Sequence, residues 1–488
     1  LNATSQPGFW RPALLLALVI IALALPQAAL LPLLDRDEPR FAEASREMLQ
    51  SGNYVVPTFN FAPRYAKPPL IYWCQAAAFC IFGENAFAAR LPSLLAVAGT
   101  ALLLLAWGRT LGSADAGLIA VCAYAFCLQV MQQGRVATAD ALLIFFMTLT
   151  GYAGWRLLAI SRGESPGGSW NAWGLALALG FGGGFLAKGP EALLPFLPLL
   201  FFARELSGKV AGAFVALLAL GLLPVAAWAI PAYLETHGAY WREGLGHDVG
   251  DRMVTGFQGH GASTFGWYLL GLPFYLLTFW LSALPWSPFL AAWGRRLLQA
   301  ASPNWTDHYL LANAAVVFVV FSLMVTKLPH YTLPAFPFLA LCFGRRWIRA
   351  GLARTGLLRV MFIFATTIAV FTCVTVPPAL QNGINPSPVG TLVREAGRDL
   401  TPDTRMAMAD FREPNAVWES RRVVRAPLDE ISMANVGDYL RQPGSRAVIL
   451  SRAALVGITL DPAWRIYRAQ GFNAARLARL DLALVIKR

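Results

Sequence analysis

Residues 11–49 read "RPALLLALVIIALALPQAALLPLLDRDEPRFAEASREML", an apolar run that passes directly into a dense cluster of acids and bases. The apolar part, 11–34, exceeds the roughly 20 residues that a spanning helix needs. It is longer than the core of a signal peptide and lacks a convincing cleavage site, so it reads as a retained signal-anchor helix. Similar runs recur along the chain. They are continuous, not alternating, which calls for helices and excludes a membrane β-barrel.

Composition agrees. Of 488 residues, 57% are hydrophobic and 14% charged, against about a quarter charged in soluble proteins. Further apolar windows lie at 88–108, 116–132, 137–159, 171–187, 190–203, 210–233, 265–292, 309–326, 330–347 and 357–379. The expected fold is a polytopic all-α membrane domain of about 11–13 transmembrane helices. Trp10, Trp73, Trp107, Trp267 and Trp286 stand near span ends and read as interface anchors.

The net charge of +13 fits the basic excess of cytoplasmic connections better than a nucleic-acid partner. With the N-terminus inside, those connections receive Arg109, Arg156, Arg162, Arg204, Lys209, Arg295, Arg296 and the group Arg345, Arg346, Arg349, Arg354 and Arg359. The opposite side receives 35–87, 234–264 and everything after 380. The six cysteines all sit in apolar segments with no CxxC pair, so they read as small core residues. Residues 380–488 regain charge, and short β-branched runs ("RAVIL", "LALVIKR") alternate with helical stretches ("VGDYLRQ"). The expected division is therefore a transmembrane domain over 1–379, with a large first extracytoplasmic loop at 35–87, and a small soluble α/β domain over 380–488.

A charge run is ordinarily a solvated face, and that accounts for Glu43, Arg46 and Glu47. Phe41, Ala44, Ser45, Met48 and Leu49 form one apolar stripe at helical spacing, as in a helix lying in the membrane interface. Asp37 and Glu38 fall at that helix's N-terminus, where one acid would suffice as a cap. The loop closes on "YAKPPLIYW" (65–73), in which Lys67 precedes a Pro-Pro pair that stiffens the backbone. Such a lysine suits a lipid phosphate, which it meets as a point charge. More ionisable and polar groups recur on the same side: Arg135 and Asp140 in "GRVATADALL", Lys188 in "AKGP", His247 and Arg252 in "GHDVGDR", and Lys327, His330 and Tyr331 in "TKLPHY". Ionisable groups at membrane depth are costly and usually functional. Gathered at one side, they favour a one-sided active site over a path through the bilayer.

On these residues the chain resembles a known family. "DRDEPRFAEASREMLQSGNYVVP" (35–57) with "YAKPPLIYW" is similar to the large-loop signature of GT-C membrane glycosyltransferases, above all the bacterial aminoarabinose-transferase-like family, a relative of the protein O-mannosyltransferases. "ATADALL", "FLAKGP", "LPWSPF", "KLPHYTLPAFPFLAL", "REPNAVW" and "GFN" follow in the matching order. The resemblance implies a GT-C fold and an integral enzyme of the bacterial inner membrane. Such an enzyme takes a sugar from a polyprenyl-phosphate donor and gives it to an envelope lipid of the lipid A or lipopolysaccharide-core type at the periplasmic face.

By position the resemblance puts Asp37, Glu38 and Arg40 in the catalytic group. Lys67, Arg252 and Lys327 become donor-phosphate ligands, and Asp140, Arg135, Tyr65, His247 and Tyr331 substrate-binding residues. Ala66 stands where the aminoarabinose enzymes commonly carry an acid, so no metal or other cofactor is assigned and the sugar is left open. The expected partners are the lipid-linked donor, a glycolipid or protein acceptor and membrane lipid, with the chain as a monomer. Two alternatives stand beside this: a protein O-glycosyltransferase using the same donor, and a non-enzymatic lipid or sugar flippase. The flippase predicts internal repeats and charges across the bilayer.

Overall fold

The computed structural model describes residues 10–34, 37–164, 169–204, 208–244, 265–300, 304–381, 385, 387–459, 461–473 and 478–487. Each of the eleven apolar windows falls on helix. Among the described residues six helices are long and apolar enough to cross a membrane: Arg11–Leu30, Ala86–Thr110, Asp140–Ser161, Gly212–Glu235, Trp305–Leu323 and Arg354–Ala379. A seventh span is counted if Gly266–Ser282 and Ser287–Gln299, bent by 104° at their break, are taken as one. This is fewer than the eleven to thirteen expected. Several apolar windows fold as shorter pieces such as Ala114–Ala125 and Pro190–Ala203, and apolar length does not reveal a break within a run.

The chain divides into two compact units. The first comprises Leu1–Leu25, Tyr65–Ile71 and Leu91–Ala369. Here small residues let helices approach: a Cβ on Gly182 would lie 2.5 Å from the Gly221 carbonyl oxygen, so Trp170–Lys188 and Gly208–Glu235 meet backbone to backbone. Trp107 and Trp286 are not interface anchors. They are 0% and 1% exposed, and Trp107 stacks on Tyr152 at 5.1 Å. Nor are Arg345 and Arg349 simply cytoplasmic charges. Both pair with Asp307 in the first turn of the Trp305–Leu323 helix, Arg345 at 2.9 Å.

The second unit comprises Pro26–Arg64, Tyr72–Arg90 and Val370–Arg488. Its sheet has five strands, β3 (Arg405–Ala409), β4 (Asp429–Ile431), β5 (Arg446–Ser451), β6 (Arg465–Asn473) and β7 (Ala478–Lys487), in the order β4-β3-β5-β7-β6. The β3 strand runs parallel to β4 and β5, while β7 is antiparallel to its neighbours. Met406, Met408, Ile449, Leu482, Leu484 and Ile486 fill one face, and Ala407, Val448, Leu450, Ala483 and Val485 the other. Burial on both faces is why these strands read as continuous apolar runs. The expected α/β character of the C-terminal segment holds.

The Asp37–Ser51 helix also lies in this unit, and here the expectation of a solvated charged face fails. Glu43 and Arg46 are 0% exposed and Glu47 2%. Glu43 and Arg46 pair with each other, Arg421 approaches Glu43 from far along the chain, and Glu47 accepts from Thr58 and the Phe61 N–H, none of which a local stripe of apolar residues discloses. A short hairpin follows, β1 (Thr58–Phe59) and β2 (Ala62–Pro63), turned by Asn60 and Phe61, both at positive φ.

Candidate active site

The Asp37–Ser51 helix begins at the acid pair, and the two acids have opposite surroundings. The Asp37 side chain is 58% exposed, with the Arg40 guanidinium 3.8 Å from its carboxylate. Glu38 is 2% exposed and accepts two bonds from Arg90, at 2.7 and 2.8 Å. Its second oxygen also accepts the Leu34 N–H at 2.7 Å. Arg90 goes on to donate to the carbonyls of Ala28, Leu31 and Pro32, at 3.0, 2.6 and 2.7 Å. The carbonyls freed at the end of the first helix are thereby satisfied by a cation, as a helix C-terminus favours. Glu38, expected in the catalytic group, is thus buried and bound by Arg90 and the Leu34 N–H. Arg90 escaped the sequence reading because it belongs to no motif; its one signal was a lone arginine near the start of an apolar span.

In the other unit the expected substrate-binding acid Asp140 opens the Asp140–Ser161 helix and takes a proton donor on each oxygen: Lys188 Nζ at 2.8 Å and Thr138 Oγ1 at 2.9 Å. Lys188 also stands 3.2 Å from Glu191 and 5.5 Å from the centroid of the Tyr331 ring. The structure therefore gathers "TAD", "AKGPE" and "PHY" into one buried group, with a lysine between two carboxylates. A cation so placed fixes both acids and balances one charge.

The remaining expected residues divide as follows. The Tyr65 ring packs 5.3 Å from Tyr240, whose hydroxyl donates to the Lys67 carbonyl at 2.6 Å. This bond and the following prolines hold the Lys67 backbone. Replacing Tyr240 by phenylalanine should destabilise this turn by about 0.5–1.5 kcal/mol, read as a lower melting temperature. Lys327 donates to the Met324 carbonyl and stands 5.0 Å over the Tyr268 ring. Arg135 donates to the Met131 carbonyl. His247 and Arg252 lie outside the described residues. Asp37, Glu38 and Arg40 belong to one compact unit, and Tyr65, Lys67, Arg135, Asp140, Lys327 and Tyr331 to the other. Among the described residues no three of His, Cys, Asp and Glu gather to hold a metal ion.

One carboxyl outside the candidate membrane-spanning helices is strongly shifted. Burial pushes Glu43 up to about 8, Glu47 adds to this, and Arg46 and Arg421 oppose it. A raised carboxyl favours the protonated fold, so its stabilising effect is complete below the unfolded value of 4.5 and is lost as pH rises through about 8. The melting temperature should therefore fall across that window, and Glu43→Gln should flatten the slope. An unchanged slope in that variant would assign the pH dependence elsewhere.

Comparison with known proteins places these residues in context. Residues 66–230 match the family model described as dolichyl-phosphate-mannose-protein mannosyltransferase. An undecaprenyl phosphate-α-4-amino-4-deoxy-L-arabinose arabinosyl transferase of Erwinia tasmaniensis is 30% identical over 358 residues, 71% of this chain and 61% of that one. Its namesake in Edwardsiella ictaluri is 30% identical over 308 residues, 62% of this chain and 54% of the relative. The matched stretch thus spans little more than half the length of these relatives. Among solved structures, ArnT from Cupriavidus metallidurans bound to undecaprenyl phosphate superposes with a TM-score of 0.76 at 18% identity, covering 99% of this chain and 98% of that one. The apo oligosaccharyltransferase of Archaeoglobus fulgidus gives 0.51 at 12% identity, covering 86% and 64%.

Proposed function

We propose, from the premise that this chain is a GT-C aminoarabinose-transferase-like protein, that it moves a sugar from a polyprenyl-phosphate donor to an envelope lipid of the lipid A or lipopolysaccharide-core type. The reaction takes place at the periplasmic face of the bacterial inner membrane. The observation that carries this reading is Asp37: an exposed carboxylate, with Arg40 beside it, at the head of a helix that is buried from Phe41 to Met48.

The donor arrives with its leaving group, a lipid phosphate, so no nucleotide site is required. The acceptor oxygen attacks the anomeric carbon from the face opposite the phosphate. The bond from that carbon to the phosphate oxygen breaks, the electron pair leaves with the phosphate, and configuration inverts. The Asp37 carboxylate takes the acceptor hydroxyl's proton. Arg40 orients Asp37. Lys67, Lys327 and Arg252 neutralise the charge growing on the departing phosphate, an electrostatic effect that commonly dominates such catalysis. Asp140, Arg135, Tyr65, Tyr331 and His247 contact the sugar or the acceptor, with Asp140 held ready by Lys188. Residues 1–379 form the membrane domain, with 35–87 as its extracytoplasmic loop, and residues 380–488 form a soluble segment.

The test supplies radiolabelled polyprenyl-phosphate sugars to membranes containing the chain and follows the label into lipid or protein. Label in a glycolipid supports the reading; label in neither fraction with any donor overturns it. The match to the protein mannosyltransferase family keeps a protein acceptor as the second reading, and label in protein decides for it. For Lys67→Ala the donor KM is expected to rise about 10–100-fold, the worth of one charged hydrogen bond. An unchanged donor KM and kcat would remove Lys67 from the phosphate site.

A further inference from the structure

The C-terminal segment reaches the helix that carries Asp37 through a buried group of charges with no part in the transfer step. Arg46, with 0% exposure, pairs with Glu43, donates to the Trp418 carbonyl at 2.9 Å and lies 4.4 Å over the Trp418 ring. Arg421, 7% exposed, approaches the other oxygen of Glu43 at 3.5 Å and donates to the Gln50 side chain at 3.1 Å. One helix is thus held at two points a turn or two apart, by two arginines of which one belongs to the C-terminal segment.

The same arginine reaches the hairpin. Its guanidinium stands 4.3 Å over the Phe61 ring. Asn60 and Phe61 both adopt the left-handed backbone, at φ 55° and 63°. Two consecutive residues there, neither of them glycine, persist only where their surroundings hold them. Asn60 exchanges two bonds with the Leu428 backbone, both 2.8 Å. Glu47 ties the hairpin to the helix by accepting from Thr58 Oγ1 at 2.6 Å and from the Phe61 N–H at 3.1 Å. In sequence the hairpin leads directly into "RYAKPP", the stretch that carries Tyr65 and Lys67.

We propose that Arg421 is a positioning residue for the transfer reaction: through Glu43, Gln50 and Phe61 it locks the Asp37 helix and the hairpin before Lys67 into one register. The catalytic role of that register rests on the transferase reading; the lock itself does not. A buried arginine used this way differs from a loose cover: removing it takes from Glu43 its contact with the C-terminal segment and from the Phe61 ring its cation, while the sheet behind is untouched.

The experiment compares wild type, Arg421→Gln and Arg421→Lys in the full chain, by hydrogen exchange and by steady-state kinetics. In Arg421→Gln, amides of 43–51 and 58–63 are expected to exchange roughly tenfold faster or more, while β5 and β7 stay protected. Turnover is expected to fall roughly tenfold at unchanged donor KM, the mark of a group displaced in the transition state only. Arg421→Lys should recover part of both. If Arg421→Gln does not accumulate, Asn60→Gly carries the exchange test, since glycine keeps the left-handed turn and deletes both bonds to Leu428. Wild-type exchange over 43–51 and 58–63 in these variants overturns the proposal, and so does faster exchange across the whole sheet with lysine no better than glutamine. A wild-type chain that transfers no sugar from any donor overturns the transferase reading instead, and the exchange arm still decides the lock.

Discussion

Asp37→Asn is expected to lower transfer about 10²–10⁴-fold, the usual worth of a positioned general base. Asparagine keeps the shape and still accepts hydrogen bonds, but it cannot take the acceptor's proton. Asp37 is more than half exposed, and its ion-pair contact to Arg40 is a long 3.8 Å. Such surface pairs contribute at most about 1 kcal/mol, so the variant should melt within a few degrees of wild type and bind donor normally. The decisive measurement is turnover with saturating donor, alongside a melting curve of the purified protein. Transfer near the wild-type rate would take Asp37 out of the mechanism. The neighbouring acid should behave in the opposite way, and that contrast is the sharper check on the assignment.

Arg90→Met is expected to produce the largest loss of stability, about 3–5 kcal/mol, because it leaves a buried charge unpaired. Glu38 would keep its carboxylate at 2% exposure with both bonds from Arg90 gone, and the carbonyls of Ala28, Leu31 and Pro32 would lose their donor. Thermal melting in detergent measures the loss directly. The double variant Glu38→Gln with Arg90→Met should be more stable than Arg90→Met alone, since the orphaned charge is then absent. If Arg90→Met melts like wild type, the fastening of the first span's end to the Asp37 helix is wrong. Activity would also fall in Arg90→Met, through misplacement of Asp37, so a comparison at equal folded fraction separates the two effects.

Much of the site was legible as sequence because its parts stand in compact motifs. Asp37 and Glu38 exceed what one helix start needs, and Lys67 is marked by the prolines after it. Asp140, Lys188 and Tyr331 were each visible as polar points in apolar surroundings. Their gathering was not. Lys188 is 48 residues from Asp140, and nothing in either stretch specifies the other. The pairs that order the Asp37 helix were further out of reach: Arg90 lies 52 residues from Glu38, and Arg421 lies 371 from Gln50.

The sequence by itself determined the class of this protein. Apolar runs of spanning length leave the backbone no choice but helix, and the return of charge with β-branched runs after 380 marks a soluble α/β segment. It also determined which residue types could do chemistry. Only the tertiary structure decided their surroundings, because burial is a property of what packs around a side chain and not of the side chain. Of two adjacent acids one is exposed and one buried, and a helix that reads as half solvated is buried from Phe41 to Met48. Glu38 and Glu43 tolerate that burial because Arg90 and Arg421 reach them from distant parts of the chain, and no local pattern encodes such a meeting.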